Sequence, residues 1–257
     1  MTGTVGRLLR HDDDLIAAGA AFNMSVDQAI AESVSQAALN NDRPVPTLRL
    51  YRWSQPTLSL GYFQASADCL PRFAELSKVR RATGGGAILH HRELTYSLIV
   101  PTPPGQRGAR HDLYQAVHQS IIAAFAQFSV SAAPYRSDPR PMGQADAFLC
   151  FQRRTDEDLL VSGYKVVGSA QRREKRSILQ HGSILLAASE YAPELPGVFE
   201  LTSQRLSPSE LGALVAQEIG MQLNISFVLG DLTKGEHVRT NGVVSERFGD
   251  TNWWSRR

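Results

Sequence analysis

The chain of 257 residues is short of several things, and each shortage closes a class of function. It has two cysteines, Cys69 and Cys150. That is too few for a disulfide framework, and neither lies in a Cys-x-x-Cys or other ligand-spaced cluster, so no metal site is expected. The formal charge of +2 is too small to announce nucleic-acid binding, and the basic runs have no aromatic interleaving. No run approaches the ~20 apolar residues of a membrane span. The opening "MTGTVGRLLRHDDDLIAAGAAF" has acids where a secretory signal needs an apolar core. The expectation is a cytoplasmic protein. No GxGxxG follows a strand and no Walker-type phosphate loop is present. Internal repeats, long linkers and low-complexity tracts are also missing.

What is there looks globular, with 42% hydrophobic and 20% charged residues. One domain over 1–257 is expected, burying roughly 70–75% of the unfolded surface. Val26, Ile30, Val34 and Ala37 form the stripe of an amphipathic helix over Ser25 to Leu39, with Ser25 as N-cap. Leu113, Val117, Ile121, Ala124, Phe125 and Phe128 mark a second helix from Asp112. A third starts with Ser207 as N-cap, Pro208 at the first helical position and Glu210 closing a capping box. "TLRLYRW" and "PTLSLGYF" read as strands, and "GAILHH" with "LTYSLIVP" as a strand pair. "ADAFLCF", "DLLVSG", "YKVVGSAQRR" and "LQHGSILL" read as four more short strands. Strands in the middle with helices around them predict an α+β fold with a mixed or antiparallel sheet.

Two stretches carry the chemistry. In "RRATGGGAILHH", Gly84, Gly85 and Gly86 follow two arginines. Three glycines give up chain entropy, which makes sense in a plain hairpin turn or where a ligand approaches the backbone. In "GYKVVGSAQRR", Lys165 interrupts an apolar strand, and strict alternation puts it on the same face as Val167. It is either an edge lysine that discourages aggregation or an ammonium held near a site. Gly168, Ser169 and Ala170 beside it are small enough for close approach. A strand carrying Cys150 beside the Lys165 strand would pair a thiol with a cation that favours its thiolate, as acyl transfer through a thioester requires. Cys69, before a proline, reads as a small hydrophobe.

"SQPTLSLGYFQ", "RRATGGGAILHHRELTYSLIVP", "GYKVVGSAQRR…LQHGSILL" and the opening "NMSVDQAI" together resemble the biotin/lipoate protein ligase and octanoyltransferase superfamily, from about Asn23 to about Leu223. The resemblance implies a fold like that of class II aminoacyl-tRNA synthetases and biotin synthetases. It also implies an acyl pocket walled by Gly84 to Gly86, with Arg81 and His90 toward the polar head and His181 and Gly182 closing it. For His90 a structural hydrogen bond is the alternative. Cysteine before the lysine strand, and none in "SILQHG", looks most like the octanoyltransferases that keep their nucleophile in this loop. Catalysis then falls to Cys150 and Lys165. The partners implied are octanoyl-acyl carrier protein and apo lipoyl domains, such as the glycine cleavage H protein or dehydrogenase E2 subunits. No cofactor is required, and the expected protein is a monomer without nucleic-acid or membrane partners.

Two alternatives stay open. An ATP- and Mg-dependent lipoate or octanoate ligase would use Lys165 to grip an acyl adenylate, although the C-terminal accessory domain of many such ligases is not expected here. A non-catalytic relative would only hold an acylated carrier. The basic residues Arg172, Arg173, Lys175 and Arg176 are expected to steer acidic partners, and Arg153 and Arg154 to meet a pantetheine phosphate. Residues 131–144 read as a loop that could cover the site. Trp253 and Trp254 either pack back on the domain or mark a contact surface.

Overall fold

All nine residues of Ser177–Leu185 are buried, so this strand must be covered on both faces. A computed structural model, which describes residues 3–10, 18–103, 105, 108–137 and 146–257, shows how. In chain order the elements are β1 (Thr4–Arg10), α1 (Ala20–Leu39), β2 (Thr47–Tyr51), β3 (Thr57–Leu60), β4 (Ser77–Arg80), β5 (Ile88–His90), β6 (Glu93–Pro101), α2 (Ala109–Ala126), β7 (Ala132–Pro134), β8 (Leu159–Val161), β9 (Tyr164–Arg173), β10 (Ser177–Leu185), α3 (Val198–Thr202), α4 (Pro208–Leu223), β11 (Ile225–Leu229), α5 (Lys234–Val243) and α6 (Thr251–Ser255). The large sheet runs β11-β1-β2-β6-β10-β9-β8-β7, parallel only where β1 meets β11 and β2. A small sheet, β4-β3-β5, stands beside it. The α+β expectation with a mixed sheet is met.

Register decides the two faces. Leu50, Tyr96, Gly182 and Ser169 align across β2, β6, β10 and β9, and residues of that parity face α2 and α4. There Leu48, Leu98 and Ile184 pack on Leu113, Val117, Ile121 and Phe125 of α2 and on Leu211, Val215 and Ile219 of α4. On the other face Leu9, Ile99 and Leu179 pack on Val26, Ile30 and Val34 of α1. Burying each such side chain contributes about 1.5–3 kcal/mol.

Several sequence expectations need correction. Helix α1 begins at Ala20 with Gly19 as N-cap, and Ser25 lies inside it, its hydroxyl donating back to Ala21 O at 2.7 Å. "GAILHH" and "LTYSLIVP" do not pair: His90 of β5 pairs with Thr57 in the small sheet, while Glu93 of β6 pairs with Leu185 in the large one. Leu149 makes only an isolated bridge to Ala87 before a 3₁₀ turn at Cys150–Gln152, so Cys150 is on a turn and not a strand. Within 131–144, Ala132–Pro134 is edge strand β7 and Tyr135–Ser137 a 3₁₀ turn, and 138–144 lies outside the described residues. The third helix starts where expected, with Ser207 accepting from the Glu210 amide and Pro208 in the first turn, but among the described residues no bond from the Glu210 side chain returns to the cap, so the expected capping box is only half formed.

Candidate active site

Lys165 reaches the site because β9 is not regular. Leu160 pairs with Lys165 but Leu159 with Val167, so Val166 is an extra residue in the ladder. Such a bulge re-aims a side chain. Without it Lys165 would share the face of Val167 and point into the α2 core. With it, Val166 and Val167 both enter that core, and the Lys165 side chain crosses to the other face, where a Cβ on Gly168 would stand 2.7 Å from its Cε. Strand β9 lies between β10 and β8, so the edge-lysine explanation falls.

The Lys165 ammonium is 2.8 Å from Asp158 Oδ2, 3.2 Å from the Cys150 carbonyl oxygen and 3.7 Å from Cys150 Sγ. Lys165 and Asp158 are both buried, and Asp158 Oδ2 also accepts from the Thr155 amide at 2.7 Å. The buried carboxylate pairs with the lysine nitrogen, and the same nitrogen faces the sulfur. Asp158 is a residue sequence reasoning missed; its only signal was an acid immediately before an apolar strand.

The glycine loop meets the same sulfur. Gly85 has φ +96°, a left-handed conformation that favours glycine. A Cβ on Gly86 would lie 3.0 Å from both Cα and N of Cys150, and Cys150 N donates to Ala87 O at 2.7 Å. Gly86 is therefore small to admit the Cys150 backbone, which corrects the expectation that all three glycines make room for the acyl chain. A Cβ on Gly84 would touch only the Phe63 ring, at 3.8 Å. Arg81 is spent on this loop: its guanidinium donates to Gly84 O, Gly86 O and Ser59 O at 3.1, 2.9 and 2.7 Å. Burial pulls Arg81 down to about 10, against the opposing charges of Cys150 and Glu93, so it remains a cation at neutral pH.

A cleft of about 440 Å³ connects these groups. Among its lining are the predicted Arg81, Gly84, Gly85, His90 and Cys150. Gly168, Ser169, Ala170, His181 and Gly182 line its sheet side. Gly86 and Lys165 stand behind Cys150. Met24, Tyr51, Trp53 and Ile88 supply apolar wall that the sequence did not single out. Ser169 contributes backbone only: its hydroxyl points to the opposite face, 2.6 Å from Tyr96 OH and 2.7 Å from His118 Nε2.

Both cleft histidines are fixed by buried acids. His90 Nδ1 donates to Glu93 Oε1 at 2.6 Å, its Nε2 accepts from Ser59 Oγ at 2.7 Å, and its ring stacks on Trp53 at 4.0 Å. Burial, partly offset by Glu93, lowers the His90 pKa and keeps the ring neutral. His181 Nε2 meets Thr83 Oγ1 at 2.7 Å, and its Nδ1 lies 3.7 Å from Asp27 Oδ2. Asp27 is buried, which raises its pKa, but the Arg49 guanidinium at 2.9 Å and His181 outweigh this and hold it below the carboxylate range. Arg153 and Arg154 turn inward, donating to Ala147 O and to Phe151 O, and so brace the Cys150 turn. Among the described residues no cluster of three or more metal-type ligands occurs.

A thiol beside an ammonium, a glycine loop and an apolar cleft thus meet at one place. The model of the lipoyl protein ligase A/B catalytic domain matches residues 19–195. The chain belongs to this family. It is 38% identical to octanoyltransferase LipM of Anoxybacillus flavithermus over 92% of this chain and 94% of that protein. The LipM of Halalkalibacterium halodurans is 35% identical over 92% and 95%. With the LipM of Kyrpidia tusciae it shares 39% over 65% of this chain, a match spanning 62% of that protein's length. In fold it resembles the putative lipoate protein ligase Ta0514 from T. acidophilum with bound lipoic acid, at TM-score 0.79 and 18% identity over 98% of this chain and all of the other. No described helix is long and apolar enough to cross a membrane.

Proposed function

We propose that this protein moves an octanoyl group from octanoyl-acyl carrier protein to the lysine of a lipoyl domain, through a thioester on Cys150. The acyl transfer rests on kinship: relatives named octanoyltransferase align with the chain at 30–38% identity over more than nine-tenths of its length. The observation that carries the mechanism is Cys150 Sγ at 3.7 Å from the Lys165 ammonium, on the wall of the cleft.

In the first step the Cys150 thiolate attacks the octanoyl carbonyl carbon. The carrier's C–S bond breaks, and the departing thiolate takes a proton from the Lys165 ammonium. In the second step the neutral amine of the acceptor lysine attacks the enzyme thioester. The C–N bond forms, the C–Sγ bond breaks, and Lys165 takes the proton lost by the attacking nitrogen. The products are an octanoyl amide and the restored thiolate–ammonium pair. Asp158 keeps Lys165 aimed at the sulfur through both steps. The energy of the donor thioester drives amide formation, so the reaction needs no nucleotide. We place it in the cytoplasm, on a monomer whose chain forms one catalytic domain.

Intact-mass spectrometry of an apo lipoyl domain tests this. Octanoyl-carrier protein alone should add one octanoyl group, and Cys150→Ala should not. Modification only from free octanoate with ATP, surviving Cys150→Ala, would make the protein a ligase.

A further inference from the structure

The C-terminal turn is bonded to the end of β4 and to Ser66, beside the segment that leads into the glycine run. Arg80 gathers its carbonyls, with Nη2 2.6 Å from Trp254 O and Nε 3.1 Å from Trp253 O, and Trp253 Nε1 donates back to Arg80 O at 2.9 Å. The Ser66 amide donates to Arg257 O at 2.7 Å. These bonds answer the question about the two tryptophans: the turn packs back on the domain.

The bonds also hold exposed cations in set places. The Arg256 guanidinium lies 4.4 Å from the Tyr62 ring centre and 4.6 Å from that of Trp253. Arg257 stands 5.3 Å from the centre of Phe63, and Arg247 stands 3.9 Å from that of Trp253. Stacking on rings fixes long side chains that would otherwise pay entropy to meet an anion. Among the described residues no carboxylate forms an ion pair with Arg80, Arg247, Arg256 or Arg257; the nearby Glu174 is paired with Arg172 at 3.2 Å. Arg256 and Arg257 press on the Arg80 charge, which, with burial first, lowers its pKa. Such a cluster, left uncompensated, is suited to an arriving anion.

The position ties it to the reaction. Phe63, exposed and beneath Arg257, packs on Gly84 of the cleft wall, and the Tyr62 amide donates to Thr83 O at 2.8 Å in the same loop. We infer that Arg256 and Arg257, stacked on Tyr62, Trp253 and Phe63, form a phosphate-binding station for the acyl donor, gripping the phosphate of a phosphopantetheine-type arm whose thioester enters past Gly84. This rests on the thioester-donor reading above and adds to it where the donor's charge is held.

The test compares three donors for wild type and Arg256→Ala/Arg257→Ala: octanoyl-carrier protein, octanoyl-phosphopantetheine and octanoyl-pantetheine, which lacks the phosphate. The double variant should raise KM about tenfold for the two phosphate-bearing donors, leaving kcat and the phosphate-free donor unchanged. Arg256→Lys/Arg257→Lys should keep part of the preference. Loss confined to the carrier protein would mean that the arginines contact the protein body, and equal loss on all donors would mean a disturbed glycine loop. Either result, or no change, overturns the station. Wild type inert toward every thioester would instead sink the transferase reading itself.

Discussion

The two faces of the large sheet, one residue apart along each strand, are made of different materials. The face toward α2 and α4 is almost wholly aliphatic and aromatic, with Phe125, Ile121 and Leu98 fully buried. The face toward the cleft buries Arg49, Asp27, Glu93, Thr95, Ser97 and Ser183, each bonded to at least one partner, with Arg49 Nε the one atom among them left without any. Apolar burial is non-directional and stabilises wherever it occurs, whereas buried charge costs free energy unless its partners are set. The first face therefore holds the molecule together, and the second holds atoms in place. Lys165 belongs to the second only because a bulge moves it there.

That division can be broken at several points. The largest effect is expected from Cys150→Ala: octanoyl transfer should fall by about 10³-fold or more, with Tm hardly moved, because the half-buried thiol packs little. Phe125→Ala should do the reverse. Urea unfolding should show a loss of about 3–5 kcal/mol, while folded enzyme at low temperature keeps its kcat. A matching loss of kcat would show that the α2 face also shapes the site.

The third point is the one polar island on the apolar side. His118 Nδ1 donates to Glu157 O at 2.6 Å and its Nε2 accepts from Ser169, and burial pulls the ring from its ordinary 6.5 to about 4. Below 6.5 the unfolded chain binds a proton that the folded one refuses, so stability should fall between pH 6.5 and 4, by up to about 3 kcal/mol. Carboxylates held low, such as Asp27, lose their contribution only at more acid pH. Denaturation midpoints across that range should slope less steeply in His118→Gln than in wild type. The smallest effect is expected from Gly86→Ala. The added methyl must push the Cys150 backbone by a few tenths of an ångström, costing about 1 kcal/mol of stability but roughly tenfold in kcat through the displaced sulfur. Equal kcat in that variant would free the sulfur from dependence on the loop.

Much of the site was legible because its residues are chemically conspicuous. A triple glycine, a lysine in an apolar strand and a cysteine ahead of it stand out in any sequence, and ten of the twelve residues singled out from the sequence line one cleft, the other two backing Cys150. Their roles were less legible. Arg81 was expected to face a substrate and instead clamps the carbonyls of Gly84 and Gly86; Ser169 points its hydroxyl at His118. Asp158, Glu93 and Asp27 escaped notice because a lone acid in a sequence does not reveal whether it is buried. Strands β1 and β11 were missed as well, since Arg7 and Arg10 break the apolar alternation of one and the other is a mostly exposed edge. The Thr233–Glu236 capping box that starts α5 was present to be read, and its Glu236 also pairs with Arg7 at 2.7 Å.

By itself the sequence determined which chemistry was available and which elements would form, because residue type and hydrophobic period are local properties. The tertiary structure decided where that chemistry points. A one-residue bulge carries Lys165 through the sheet to Cys150, and a second sheet brings the glycine loop up to the same sulfur. Both depend on pairings between residues far apart in the chain, and no local pattern records those.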